Sequence, residues 1–182
     1  MTDRAATAFP PTGRLIDAAG TVVHAHVQGP QDGSVPDVIL IHGASGNTRD
    51  WTFGFADLLD EHARVIAFDR PGLGHSPALH DRGESPAEQA AVLDAAAAEL
   101  GVRRAVVVGH SYGGAVAMAW ALEHPERVAA VVSLAGATMP WRGGLGPWYS
   151  IASSPLGGAT VVPLVAAFAP RGLAEQSVSQ IF

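Results

Sequence analysis

Cysteine is absent from these 182 residues, and so is lysine. The first absence excludes disulfides, thiolate metal sites and a cysteine nucleophile. The second leaves all 11 basic residues as arginine, and excludes a Ser-Lys dyad, a Schiff base and a phosphate-loop lysine. A long unbroken apolar run is also missing. The most apolar stretch, residues 153–172, is interrupted by Pro155, Pro163, Pro170 and the glycines 157, 158 and 172. A membrane span takes about 20 consecutive apolar residues, so a buried or cap helix is expected there, without membrane association. The opening MTDRAATAFPPTGR lacks the apolar centre of a signal peptide, which makes the cytoplasm the expected compartment.

What is present is globular. The chain is 48% apolar and 15% charged, enough for one domain with a sizeable core. The formal net charge is −6, and the arginines are scattered singly or in pairs, so no nucleic acid partner is expected. No internal repeat stands out.

Two strands with a turn at Ala19-Gly20 are expected in GRLIDAAGTVVHAHVQG. PDVILIHG, RVIAFDRPG, RRAVVVG and RVAAVVSLAG are short apolar runs, of the kind buried on both faces of a parallel sheet. Between them lie helical patterns. RDWTFGFADLLDEH spaces Trp51, Phe55, Leu58 and Leu59 as a helix would. ESPAEQAAVLDAAAAELG has Ser85 as N-cap, Pro86 in first position, Glu88 closing a capping box and Gly101 as the stop. YGGAVAMAWALEH ends before Pro125. This alternation predicts an α/β fold with a mostly parallel sheet and helices on both faces. After Ala137 the chain turns rich in Gly, Pro and aromatics, and no strand is expected.

The tripeptide GHS occurs twice, at Ser76 and at Ser111. Around Ser111 the order is strand, Gly109-His110-Ser111-Tyr112-Gly113, then helix, with no spare residue. This is the G-x-S-x-G nucleophile elbow: a strained turn whose flanking glycines let strand and helix approach, lifting Oγ clear of the sheet. The same turn aims the Tyr112 N–H and the helix N-terminus at developing negative charge. Ser76 is followed by Pro77 and Ala78 and lies well past its strand. It is expected to be a polar turn residue capping a short helix, leaving Ser111 as the candidate nucleophile.

Three stretches in combination, ILIHGASGN, AFDRPGLGHS and VVGHSYGG, resemble the α/β-hydrolase family in order and separation. The resemblance runs over residues 13–137. It implies an α/β-hydrolase fold, with residues 1–137 as the N-terminal part of the core and 138–182 as the incomplete start of a cap. It implies the Ala44 N–H as a second oxyanion donor beside Tyr112. Serine at the elbow, where the dehalogenase and epoxide-hydrolase branches carry aspartate, implies acyl chemistry on a small apolar ester-like substrate, without a cofactor. Trp141, Trp148 and Tyr149 would be pocket wall or core.

A serine hydroxyl needs a base and an orienting carboxylate, which in this fold follow it in the chain. Downstream of Ser111 there is no aspartate; the acids are Glu123, Glu126 and Glu175, and the one histidine is His124. His124 closes the helix that begins at the elbow, roughly 15–20 Å away at 1.5 Å per residue. The turn points His110 away from Oγ. His24 and His26 share a strand face but have no third ligand, so no metal is expected. His42 is read as structural, and His62, His75 and His80 as surface-turn residues. The expectation is a chain truncated before its last strands, with acid and histidine beyond Phe182 and little activity alone. Its last strand would be an open edge, prone to self-association unless a missing C-terminal segment covers it. A non-catalytic ligand-binding homologue, an acyltransferase and a haloperoxidase-like activity remain alternatives on the same scaffold.

Overall fold

The computed structural model describes residues 8–139, 147–152, 154, 156–168 and 172. The chain divides into two compact units, Met1–Met139 and Pro140–Phe182.

The first unit is built on a six-stranded sheet. Its strands are β1 (Arg14–Ala18), β2 (Thr21–Gln28), β3 (Asp37–Ile41), β4 (Val65–Phe68), β5 (Ala105–His110) and β6 (Val128–Leu134). Their order across the sheet is β1-β2-β4-β3-β5-β6. β3 pairs in parallel with β4 and β5, and β5 with β6, while β2 runs antiparallel to both β1 and β4. The β1–β2 hairpin closes through Ala19 (φ 50°) and Gly20 (φ 86°), the left-handed pair that a two-residue turn matching strand twist requires.

Strand residues alternate between two apolar layers. Ile39, Ile41, Ile66, Phe68 and Val107 pack into one cluster with helices α2 (Pro86–Glu99) and α3 (Tyr112–Glu123). Leu40, Val65, Ala67 and Val108 pack on the other face, against Trp51 of α1 (Arg49–Thr52) and Ala56. Two-sided burial is why the runs of β3, β4 and β5 read as continuously apolar, whereas β6, equally apolar, has no buried residue. α2 begins as expected: the Ser85 hydroxyl accepts from the Glu88 N–H, and the Glu88 carboxylate accepts from the Ser85 N–H at 2.9 Å. Gly101, at φ 72°, lies just past its end.

One expected helix is shorter than its pattern. The run from Arg49 gives a single turn, then a separate 3-10 turn at Ala56–Leu58. Gly54 adopts φ 110°, a conformation incompatible with continuing the helix, and leaves Leu58 exposed.

Polar clamps sit at the strand ends. Arg64, just before β4, donates through Nε to Asp37 at the start of β3 (2.9 Å) and through Nη1 to the Leu100 carbonyl. Trp120 of α3 is fully buried and donates its indole N–H to Asp94 of α2 at 2.8 Å. Asp94 also accepts from Arg127, which holds the Val102 carbonyl, so one carboxylate joins α2, α3 and the approach to β6. β6 is the sheet edge, with Val132 and Leu134 exposed.

In the second unit, α4 (Pro147–Ala152) is followed by a π-helical turn at Gly157–Val161 and α5 (Val162–Phe168). The expected helix within residues 153–172 is therefore present, with Leu164, Val165 and Phe168 exposed rather than buried. Trp141 and Glu175 lie outside the described residues, as do the side chains of Trp148 and Tyr149. No helix among the described residues is long and apolar enough to cross a membrane.

Candidate active site

Chain order and sheet order part company at β3. From β3 the chain adds β4 on one side, then crosses over to add β5 on the other. The carboxyl ends of β3 and β5 therefore meet at the switch point, where open α/β sheets place their ligands. Ile41 pairs with Gly109 in that register, so the loop after β3 and the turn after β5 leave side by side.

Ser111 occupies that turn with φ 51° and ψ −119°, immediately before α3. A β-carbon-bearing residue pays a backbone strain of order 1–3 kcal/mol in such a region, and strain of this kind concentrates at functional sites. The surroundings hold it there. The Ser111 N–H donates to the Leu134 carbonyl at 3.0 Å, and its own carbonyl accepts from Gly114 (2.9 Å) and Ala137 (2.8 Å). Strained non-glycine residues also follow the neighbouring parallel strands, Ser45 (φ 59°) after β3 and Ala135 (φ 47°) after β6.

The glycines do what the elbow needs. A β-carbon on Gly109 would overlap the Gly113 carbonyl, and one on Gly113 would overlap the Ile41 and His42 carbonyls. A β-carbon on Gly114 would come within 2.7 Å of the Gly136 Cα. Gly43 lies close as well: its β-carbon position is 3.1 Å from both the Ser111 Cβ and the His110 Nδ1. The Ala44 peptide thus begins beside Ser111. His110, exposed at the end of β5, sets its ring edge-on to Trp51, with centroids 6.4 Å apart.

The loop after β3 is held from beneath by buried polar groups. His42 donates through Nδ1 to the Gly43 carbonyl (2.9 Å) and accepts at Nε2 from the Arg70 N–H (3.0 Å). Burial pushes its imidazole down to about 4, against the bond to Gly43, which favours the charged form. Arg70, 3% exposed, donates through Nε to the His42 carbonyl and through Nη2 to the Gly43 carbonyl. Its guanidinium lies over the Tyr112 ring, 4.8 Å from the centroid. Sequence reading missed Arg70; the signal was there, as an arginine two residues past the apolar run of β4.

The second GHS is the instructive contrast. Ser76, His24 and Asp69 do come together, all buried. His24 donates Nδ1–H to Asp69 at 2.8 Å, but its Nε2 accepts from the Gly13 N–H, not from a hydroxyl. The Ser76 hydroxyl accepts from the His24 backbone N–H and donates to the Asp69 carbonyl. Ser, His and Asp are adjacent, yet the imidazole and the serine hydroxyl never meet. Ser76 is therefore a polar turn residue, as expected, whose buried hydroxyl ties β2 to the turn after β4 and caps no helix. Burial works against charge on Asp69, but donation from His24, His75 and Thr48 holds its carboxyl below the usual range. No metal-holding cluster is found among the described residues. His124 caps the far end of α3, 3.5 Å from Asp94 and away from Ser111.

A strand-turn-helix at the switch point of a mixed sheet defines a protein of the α/β-hydrolase type. Residues 36–177 match the alpha/beta hydrolase fold family, and the chain belongs to it. Over 114 residues it is 40% identical to a putative carbamate hydrolase, RutD, of Variovorax paradoxus, covering 60% of this chain and 41% of that protein. Epoxide hydrolase B of Mycobacterium tuberculosis is 33% identical over 135 residues, covering 71% and 36%. Among solved structures, a meta-cleavage product hydrolase (CumD) of Pseudomonas fluorescens superposes with a TM-score of 0.63 at 30% identity, covering 71% and 47%. The enol-lactonase of Burkholderia xenovorans gives 0.60 at 26%, covering 65% and 45%. The chain thus spans less than half the length of these relatives.

Proposed function

We propose that this chain is the nucleophile-bearing part of a serine hydrolase that cleaves a carboxylic ester or related acyl bond. The strained backbone of Ser111, sealed between glycines with the Gly43–Ala44 loop against it, carries the reading. Ser111 Oγ would attack the acyl carbon, and the Ala44 and Tyr112 N–H groups would receive the oxyanion. Carbamates and lactones, named for two relatives, are both acyl compounds. The relative named as an epoxide hydrolase supports hydrolysis in general, while serine at this elbow favours the acyl reaction.

The acid and the base are a separate matter. With no aspartate after Ser111 and His124 at the wrong end of α3, the proton acceptor is proposed to come from outside these 182 residues. Without it, about 10³–10⁴-fold catalysis over water is the residue an oxyanion hole can leave. The same lack of a base favours a second reading, a pocket that binds a small apolar ligand without turnover.

A fluorophosphonate probe on the product of the complete reading frame separates the two. Intact-mass labelling is expected in the wild type and in Ser76→Ala, and lost in Ser111→Ala. Saturable ligand binding with no labelled Ser111 would establish the receptor instead.

A further inference from the structure

Five contacts converge on the Arg70 side chain and backbone N–H, and four of them involve Tyr112 or the loop that carries Ala44. The guanidinium presents a rigid fork. Its Nε and Nη2 grip two successive carbonyls, His42 at 3.0 Å and Gly43 at 2.7 Å. Its Nη1 donates to Gln89 Oε1 at 2.8 Å, and Gln89 is itself oriented by donating to the Glu84 carbonyl. Its backbone N–H fixes His42 Nε2, which sends His42 Nδ1 to the same Gly43 carbonyl. Its central carbon lies over the Tyr112 ring, 4.8 Å from the centroid.

The Gly43 carbonyl and the Ala44 N–H belong to one peptide unit. That unit is planar and trans, so C=O and N–H point in opposite directions. Whatever fixes the oxygen therefore fixes where the N–H aims. A charged donor and an imidazole N–H both pull on this oxygen, and such pulling polarises the amide and strengthens the donor at its other end.

We propose that Arg70 is the positioning residue of the oxyanion hole: by clamping the His42 and Gly43 carbonyls and stacking on Tyr112, it sets the direction of the Ala44 N–H relative to that of Tyr112. This rests on the reading of Ser111 as nucleophile and of Ala44 and Tyr112 as donors. Lysine cannot replace it, because a single ammonium lacks the fork that holds two carbonyls at fixed spacing while the group lies over a ring.

The test uses the product of the complete reading frame in wild-type, Arg70→Lys, Arg70→Met and Gln89→Met forms. The saturating rate of phosphonylation of Ser111 and the half-saturating probe concentration are measured, together with the amide proton and nitrogen shifts of Ala44. Mis-aiming one donor is expected to lower the saturating rate about tenfold to hundredfold, with the half-saturating concentration little changed and the Ala44 peak displaced. A merely structural arginine would leave the rate of the folded fraction intact. An unchanged saturating rate in folded Arg70→Met, or a loss confined to the half-saturating concentration, overturns the inference while the nucleophile reading stands. Should Arg70→Met not fold, Arg70→Lys and Gln89→Met decide by the same two readouts. A wild type that does not label at Ser111 overturns the nucleophile reading and the role of Arg70 with it.

Discussion

At the scale of single residues, local sequence distinguishes the two serines, and the structure puts them in different surroundings, Ser111 in a strained turn before α3 and Ser76 in a buried hydrogen-bond network. Gly113 against Ala78 and the missing spacer before α3 were enough to single out Ser111. What local sequence did not show is that Ser76 is buried beside a histidine and an aspartate, since His24 lies 52 residues away. His42 carries a prediction of its own. Its ordinary value is 6.5, and burial holds it at about 4 in the fold. As pH falls, the unfolded chain takes up a proton that the folded chain refuses. The stability contributed by neutral His42 is complete above about pH 6.5 and is lost between there and about pH 4, of order 3 kcal/mol in all. Histidine proton resonances followed by NMR are expected to show no titration midpoint for His42 between about pH 5 and 8. A midpoint near the ordinary value would contradict the buried, neutral ring.

At the scale of elements, α2 was the most legible because its punctuation is chemical: Ser85, Pro86, Glu88 and Gly101 all act locally. The helix expected from Arg49 was the least legible, because apolar spacing says nothing of Gly54 adopting a positive φ. The lock between α2 and α3 was also invisible in sequence, since Asp94, Trp120 and Arg127 meet only in three dimensions. Asp94→Ala would leave a buried indole N–H and a partly buried guanidinium without their acceptor. Removing one partner of such a buried pair is expected to cost about 3 kcal/mol, read as a lower urea midpoint with an unchanged slope. An equal midpoint would show that water replaces the carboxylate without loss.

At the scale of the whole molecule, the alternation of strands and helices was readable, and the family followed from three motifs in order. The proposed base and acid for Ser111 were not readable, because no aspartate follows it and the one histidine that does, His124, closes the far end of α3. The β6 edge has a consequence in solution. Val132 and Leu134 are exposed on a strand that, among the described residues, pairs with β5 alone, the arrangement that templates strand addition. Size-exclusion chromatography of the 182-residue chain is expected to show concentration-dependent association, and a clean monomer at all concentrations would refute it. The two-layered core raises a different question, that of registry. When both faces of a strand are apolar, hydrophobicity alone cannot tell the right alignment from one slipped by a residue. A slip would move a strand by about 3.3 Å. The clamp of Arg64 on Asp37 at one end of β3, and that of the Arg70 N–H on His42 at the other, both act over about 3 Å. Together they work as a vernier, so the polar groups that frame the candidate site also keep the sheet in step.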